Sequence, residues 1–327
     1  MKKSHGVIVL VSLLLAVSET HSHIAKGWHL VTSARGSHGP YIIDLQFVDL
    51  NKGWALIPSG LLETKDGGRS WERRLRSGIP ENVFSSFVFS NKTNGWVVGA
   101  CKESGKDRPL IINTKDGGET WQPQTVDLNA HLSGVEAHGL WGVRFYNQEK
   151  GWAVGEGLII HTKNAGITWE IQRLTDSQEV LISLDNLNAE RLWAVGMGGL
   201  ILHTNDGGKT WIRQKSKTTN ALMQVRFFND EGWIVGSGGT ILHSVDGGVT
   251  WEHQEIGIRE DLRDIHISGS QGWIVGRSGT ILYTGDHGKT WRRQKSPTIN
   301  NLTCLFSLDS GNVWAGGENL TIVRYSD

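Results

Sequence analysis

Residues 232–251, GWIVGSGGTILHSVDGGVTW, recur in close copies along this chain, and such a repeat restricts the fold more than any other feature of the sequence. Each copy has a short β-branched run after Gly-Trp, a glycine corner, a second apolar run and then Asp-Gly-Gly-x-Thr-Trp. Two β-branched runs with tight turns between them describe consecutive antiparallel hairpins, and Asp-Gly is the strongest short-range hairpin signal. The closing residues Trp211, Trp251 and Trp291 fall 40 residues apart. Several strands per period of about 40 residues mean a β-propeller or a related array, because one such unit cannot bury its apolar face alone.

Six complete copies end at Trp71, Trp121, Trp169, Trp211, Trp251 and Trp291. A seventh starts near Leu302, passes Trp314, has its third apolar run at residues 320–324, and stops before any Asp-Gly-Gly-x-Thr-Trp. The missing strand has a counterpart at the other end of the chain. Residues 26–32, KGWHLVT, resemble the last strand of a repeat, with Trp28 in the closing position. The sequence therefore predicts an all-β fold: a seven-bladed β-propeller of four-stranded antiparallel blades, its ring closed by the N-terminal strand. Closure removes the free sheet edges that invite aggregation.

One period covers nearly the whole chain, so residues 19–327 are expected to form a single domain. Residues 1–18 read as a secretory signal peptide: Lys2 and Lys3, an apolar run over 7–17, and a small-x-small site at Ala16-Val17-Ser18. That run is short for a membrane span, so the mature chain is expected to carry no transmembrane segment and to reach a periplasm, a thylakoid lumen or the extracellular space. No cysteine lies near the cleavage site, and a lipid anchor is not expected. Cys101 and Cys304 fall in different repeats at different strand positions and are expected to stay unpaired. Lys plus Arg equals Asp plus Glu, at 33 each, so overall charge gives no reason to expect a nucleic-acid partner.

The Asp-x-Gly-x-Thr-Trp element is the Asp-box, or BNR repeat, here at Asp66, Asp116, Asp206, Asp246 and Asp286, with Asn164 as the variant. Its Asp or Asn is expected to bond backbone N–H groups two residues on, its glycines take φ > 0 without steric cost, and its Trp suits the gap between blades. Each turn offers one carboxylate, whereas calcium wants six to eight oxygens, so the boxes are expected to be structural and to hold no metal. His161, His203 and His243 recur in separate blades and are likewise assigned to the scaffold. Thirteen of the 15 Trp occupy the two repeated positions, Trp28 takes the closing place, and Trp141 stands alone.

Enzyme signals are poor: there is no Gly-x-Ser-x-Gly, no His-Glu-x-x-His and no phosphate loop. Sialidases carry Asp-boxes too, but no arginine motif of their type precedes the first box. Asp44, Glu156, Asp264 and Glu318 are the acids outside the boxes that a glycosidase pair would have to draw on. Arg144 and Arg226 share one place in the innermost strand of two blades, where His266 stands in another, and Arg277 ends a second strand. Clustered guanidinium groups on one face would grip a carboxylate-rich peptide. As solvated strand-end groups, Arg144 and Arg226 are expected to tolerate reversal to Glu.

With these repeats laid out, the chain resembles the photosystem II stability and assembly factor family: Gly-Trp-Ala-Val-Gly, Gly-x-Ile-Leu-His-Thr and Asp-Gly-Gly-x-Thr-Trp together match from Trp28 to the C-terminus. The resemblance implies a non-enzymatic, cofactor-free seven-bladed protein that binds a membrane-protein precursor during complex assembly through an arginine-bearing face. A monomer is expected. The alternative is a secreted sialidase-like glycan hydrolase or lectin, which would need two carboxylates converging in one pocket at the channel mouth.

Overall fold

The computed structural model describes residues 27–33, 39–76, 83–103, 106–124, 139–174 and 179–326; the expected signal segment lies outside them. The chain forms seven four-stranded antiparallel sheets, six of them running outward in chain order from an innermost strand and the seventh completed on its outer edge by the first strand of the chain. These innermost strands are Asp44–Phe47, Val83–Phe89, Leu140–Phe145, Leu181–Asn186, Leu222–Phe228, Leu262–Ser268 and Leu302–Asp309, numbered here as blades 1 to 7. Each touches the innermost strands of its two neighbours, and the cycle closes between blades 7 and 1 around a central channel. The expected propeller is thus the observed one.

Ring closure follows the repeat arithmetic. Gly27–Thr32 pairs antiparallel with Ile322–Ser326 of blade 7, with Trp28 opposite Tyr325 and Leu30 opposite Val323. The third strand of that blade begins two residues later than the apolar run suggests. Residues Glu318–Leu320 form a short turn in which Asn319 and Leu320 take φ of 56° and 51°.

Packing between blades explains the repeated tryptophans. Trp54, Trp96, Trp152, Trp193, Trp233, Trp273 and Trp314, all in second strands, are at most 2% exposed. Four of them lie over the innermost-strand phenylalanine of the next blade: Trp54 over Phe89, Trp96 over Phe145, Trp193 over Phe227 and Trp314 over Phe47, with centroids 3.8 to 5.2 Å apart. The Asp-box residues Trp71, Trp121, Trp169 and Trp251 meet the same phenylalanines edge-on at 5.9 to 6.3 Å. The gap is therefore filled first by the second-strand ring and sealed by the Asp-box ring. The sealing position is the less buried: Trp71, Trp121, Trp211 and Trp291 are half-buried, Trp169 and Trp251 fully so.

Each Asp-box is a closed hydrogen-bond unit. Thr64 Oγ1 donates to Asp66 Oδ1 (2.8 Å), as does Ser70 N (2.8 Å), while Ser70 Oγ donates to Oδ2 (2.6 Å). The Ser70 hydroxyl above all, with the Ser70 N–H, holds Asp66 down at about 2, so it is ionised at any physiological pH. The second glycine is needed twice over. Gly248 has φ of 79°, and a Cβ there would lie 2.5 Å from the Trp193 ring, whose Nε1 donates to Gly248 O at 3.1 Å.

A glutamine three residues after the box Trp in blades 2 to 6 (Gln124, Gln172, Gln214, Gln254 and Gln294) ties each of them to the next blade; Arg74 holds this place in blade 1. Gln214 Nε2 donates to Gly248 O (2.9 Å) while its Oε1 accepts Trp251 Nε1 (3.1 Å). Gln254 does the same for Gly288 and Trp291, and Gln294 accepts Trp28 Nε1 at 2.7 Å, which carries the link across the ring closure.

Candidate functional site in the central channel

The inner edge of an innermost strand has no further strand to pair with, so its amides need other partners. Side chains of the preceding blade provide them. Two layers ring the channel: Asp44, Ser86, Gly142, Ser183, Gln224, Asp264 and Cys304, then Gln46, Val88, Arg144, Asp185, Arg226, His266 and Phe306, the second opposite the buried tryptophans. Asp264 Oδ2 accepts Leu305 N (2.7 Å), Asp185 Oδ2 accepts Phe227 N (2.8 Å), Asp44 Oδ2 accepts Phe87 N (3.4 Å), and the Gln46 amide brackets Phe89. These acids act first as latches between blades.

The same layers concentrate charge. Arg144 Nε lies 3.0 Å from Asp185 Oδ1, out of line for a hydrogen bond, so the contact is an ion pair with a nearly buried carboxylate. The pair weighs against reversal at Arg144, since a Glu there would face Asp185 without compensation. Among the described residues Arg226 donates to neutral oxygens, Gln224 Oε1 at 3.3 Å and Val225 O at 3.4 Å, while Gln224 Nε2 donates to Asp264 Oδ1 at 2.9 Å. Burial, and next the charge of Asp264, push Asp44 up to about 7 against the pull of Arg226. Burial also raises Asp264, again against Arg226. His266 is pushed down to about 4 by burial and then by Arg226 and Arg144, which leaves it neutral near pH 7. Burial, then Asp44 and Asp264, raise the Cys304 thiol and keep it protonated.

A test of this electrostatic arrangement follows from Asp44. Its folded value of about 7 stands above the ordinary 3.8, so the folded state holds the proton more tightly, and the stability this contributes is present below about pH 4 and lost as pH rises through 7. His266 works in the opposite sense between about 4 and 6.5, so the informative quantity is a difference between variants. The melting temperature of the wild type is expected to fall relative to that of Asp44→Asn between pH 4 and 8. Parallel profiles would show that this carboxyl does not titrate in that window.

Of the arginines singled out in the sequence, Arg144 and Arg226 share the second channel layer with His266. Arg277 lies elsewhere. It opens the turn after Gln271–Gly276, at the end of blade 6 where the innermost strand begins, since Gly276 pairs with Leu262. There it sits 3.6 Å from Asp261 Oδ2, and Arg263, absent from the sequence reading, sits 3.4 Å from the same atom. The four candidate acids do not form one cluster either: Asp44 and Asp264 are in the channel, Glu156 bridges to Val180, and Glu318 accepts Asn301 Nδ2. His161, His203 and His243 each stack on the second-strand Trp of their own blade, with centroids 4.5 to 4.8 Å apart. Among the described residues no three His, Cys, Asp or Glu side chains are placed to hold a metal ion, and no helix is long and apolar enough to cross a membrane.

Comparison with known proteins bears on this site. The chain is similar to the chloroplastic photosystem II stability/assembly factor HCF136 of Oryza sativa subsp. japonica, 29% identical over 142 residues, or 40% of this chain and 30% of that protein. The match thus spans under a third of that relative's length. Among solved structures, YCF48 bound to D1 peptide superposes with a TM-score of 0.71 at 20% identity, over 92% of this chain and 97% of that one. The GH74 enzyme of Niastella koreensis superposes with a TM-score of 0.70 at 14% identity, over 90% of this chain and 53% of that one. At such identities the superpositions show a shared fold, and the fold alone does not choose between binding and catalysis. The profile of the photosynthesis system II assembly factor YCF48 family matches residues 22–138, 75–178, 135–219 and 213–299, nearly the whole ring, and the chain belongs to that family.

Proposed function

We propose that this chain is an exported, non-catalytic assembly factor that acts as a monomer and holds an acidic segment of a membrane-protein precursor at its channel, with Arg144, Arg226 and Arg277 as contacts. The observation that carries the reading is Arg226: a guanidinium in the channel wall whose bonds go to neutral oxygens at the long end of the hydrogen-bond range, leaving donors for a bidentate carboxylate. Family membership supports an assembly role, and the D1 peptide on the similar YCF48 structure supports a peptide as ligand. Asp44 and Asp264, the two acids a hydrolase would use, are engaged by backbone amides of the next blade, which weighs against the glycan-hydrolase alternative. A lumenal, periplasmic or extracellular setting agrees with the leader sequence and with the chloroplastic relative.

Neutral substitution tests this better than reversal, given the Arg144 ion pair. Arg226→Gln is expected to leave the melting temperature close to wild type and to weaken binding of a labelled acidic peptide at least about tenfold at low salt, with a smaller loss at high salt. Arg277→Glu, on an exposed turn, is expected to weaken binding in the same salt-sensitive way. Unchanged affinities in both variants would place the ligand elsewhere on the ring.

A further inference from the structure

The rim of the channel carries a second recognition element that the repeat does not explain. In blades 2 to 7 the pairing of the innermost strand skips one residue near its start, leaving Ser85, Trp141, Ile182, Met223, Arg263 and Thr303 bulged. The residue before each bulge is nearly invariant and buried: Phe84, then Leu140, Leu181, Leu222, Leu262 and Leu302. The bulged residues are all different. A bulge re-aims the side chain of its extra residue, so the scaffold keeps one position constant and frees the next for the rim.

Adjacent bulges are close neighbours. A Cβ on Gly142 would lie 2.8 Å from Ile182 O, so blades 3 and 4 meet tightly beside Trp141, and Arg263 Nη1 lies 3.8 Å from Met223 Sδ. Trp141 is 44% exposed and joins none of the described ring stacks between blades. A single exposed apolar residue needs no explanation, but beside the exposed Trp141 the next two blades carry half-buried apolar residues, Ile182 and Met223, at the same bulge position of the rim. Blade 6 then supplies Arg263 and Arg277, two cations within reach of one carboxylate, Asp261, which leaves a positive charge in excess there.

We propose that this rim selects the bound peptide: an apolar side chain of an extended segment seats on Trp141, Ile182 and Met223, and an acidic side chain beside it meets Arg263 and Arg277. The inference rests on the peptide-binding reading above and adds what the peptide must carry next to its acidic group. In an extended chain, successive residues on one face stand roughly 7 Å apart, which suits contacts on neighbouring blades. The apolar positions begin at Trp141 and end at Met223, against which the Arg263 guanidinium lies, a pairing that reads such a segment.

Two labelled octapeptides of equal charge test it, one with Leu-Phe beside Asp-Glu and the other with Ser-Ser in place of Leu-Phe. Wild type is expected to bind the apolar peptide roughly tenfold more tightly. Trp141→Ala should remove that preference without changing affinity for the Ser-Ser peptide, and Trp141→Phe should keep part of it. Arg226→Gln should weaken both peptides equally. Equal affinity of the wild type for the two peptides, or a preference that survives in Trp141→Ala, overturns the selecting rim while leaving the acidic-peptide reading in place. Binding of neither peptide to the wild type overturns both.

Discussion

A chain that begins after Thr32 is expected to lose at least about 3 to 5 kcal/mol of stability, the range for removing a large buried aromatic, and to aggregate on heating. Trp28, 8% exposed, packs in one cluster with Trp273, Leu302 and Tyr325 and donates to Gln294 at 2.7 Å. Without Gly27–Thr32, blade 7 keeps three strands, and Ile322–Ser326 presents an unpaired edge. Thermal melts and size-exclusion profiles of the shortened and full chains make the comparison, and addition of the peptide GWHLVT should recover part of the loss. An unchanged melting temperature would mean that the ring does not depend on this closure.

Trp193→Ala is the second large effect, also about 3 to 5 kcal/mol. Its ring is fully buried, lies 4.2 Å from Phe227 and 4.5 Å from His203 by centroid, and donates to Gly248 O. Truncation opens a cavity between blades 4 and 5 that neither sheet can fill, because both backbones are held by their ladders. Trp251→Ala, which removes the ring set edge-on to the same Phe227, falls in the same range, since Trp251 is 2% exposed and bonded to Gln214. Because the two rings share Phe227, the double variant is expected to cost less than the sum of the single ones. Urea denaturation of the three variants measures both the magnitudes and the coupling; strict additivity would show that the rings pack independently.

Much of this is legible in the amino-acid sequence alone. Alternation, Asp-Gly turns and the two Trp positions are local signals, and the 40-residue period turned them into a blade count. The closing role of Trp28 followed from counting strands, because the last repeat lacked one. The Asp-box was equally legible: among the described residues the bonds of Asp66 stay within residues 64 to 70, so its geometry is written in one short stretch. The Gln254 and Gln294 bridges left a visible sign, a Gln three residues after the box Trp, although their partners lie in the next blade.

The chemistry of the channel is different in kind. Arg144 finds Asp185 and Gln224 finds Asp264 about 40 residues away, and Thr303 reaches Ile42 O from the opposite end of the chain. No local pattern marks such pairs, since each arises only when the ring brings successive innermost strands side by side. For the same reason Arg263, an unremarked strand residue, joins Arg277 on Asp261, while Arg277 stands apart from Arg144 and Arg226, with which its residue type had grouped it. The sequence by itself determined the blade, its turns, their number and their closure, because hydrophobic period and turn chemistry act over a few residues. Which charges pair, which acid is pushed toward neutrality and which side chains reach the rim were decided by tertiary structure, because those interactions depend on burial and on distances that only the closed ring sets.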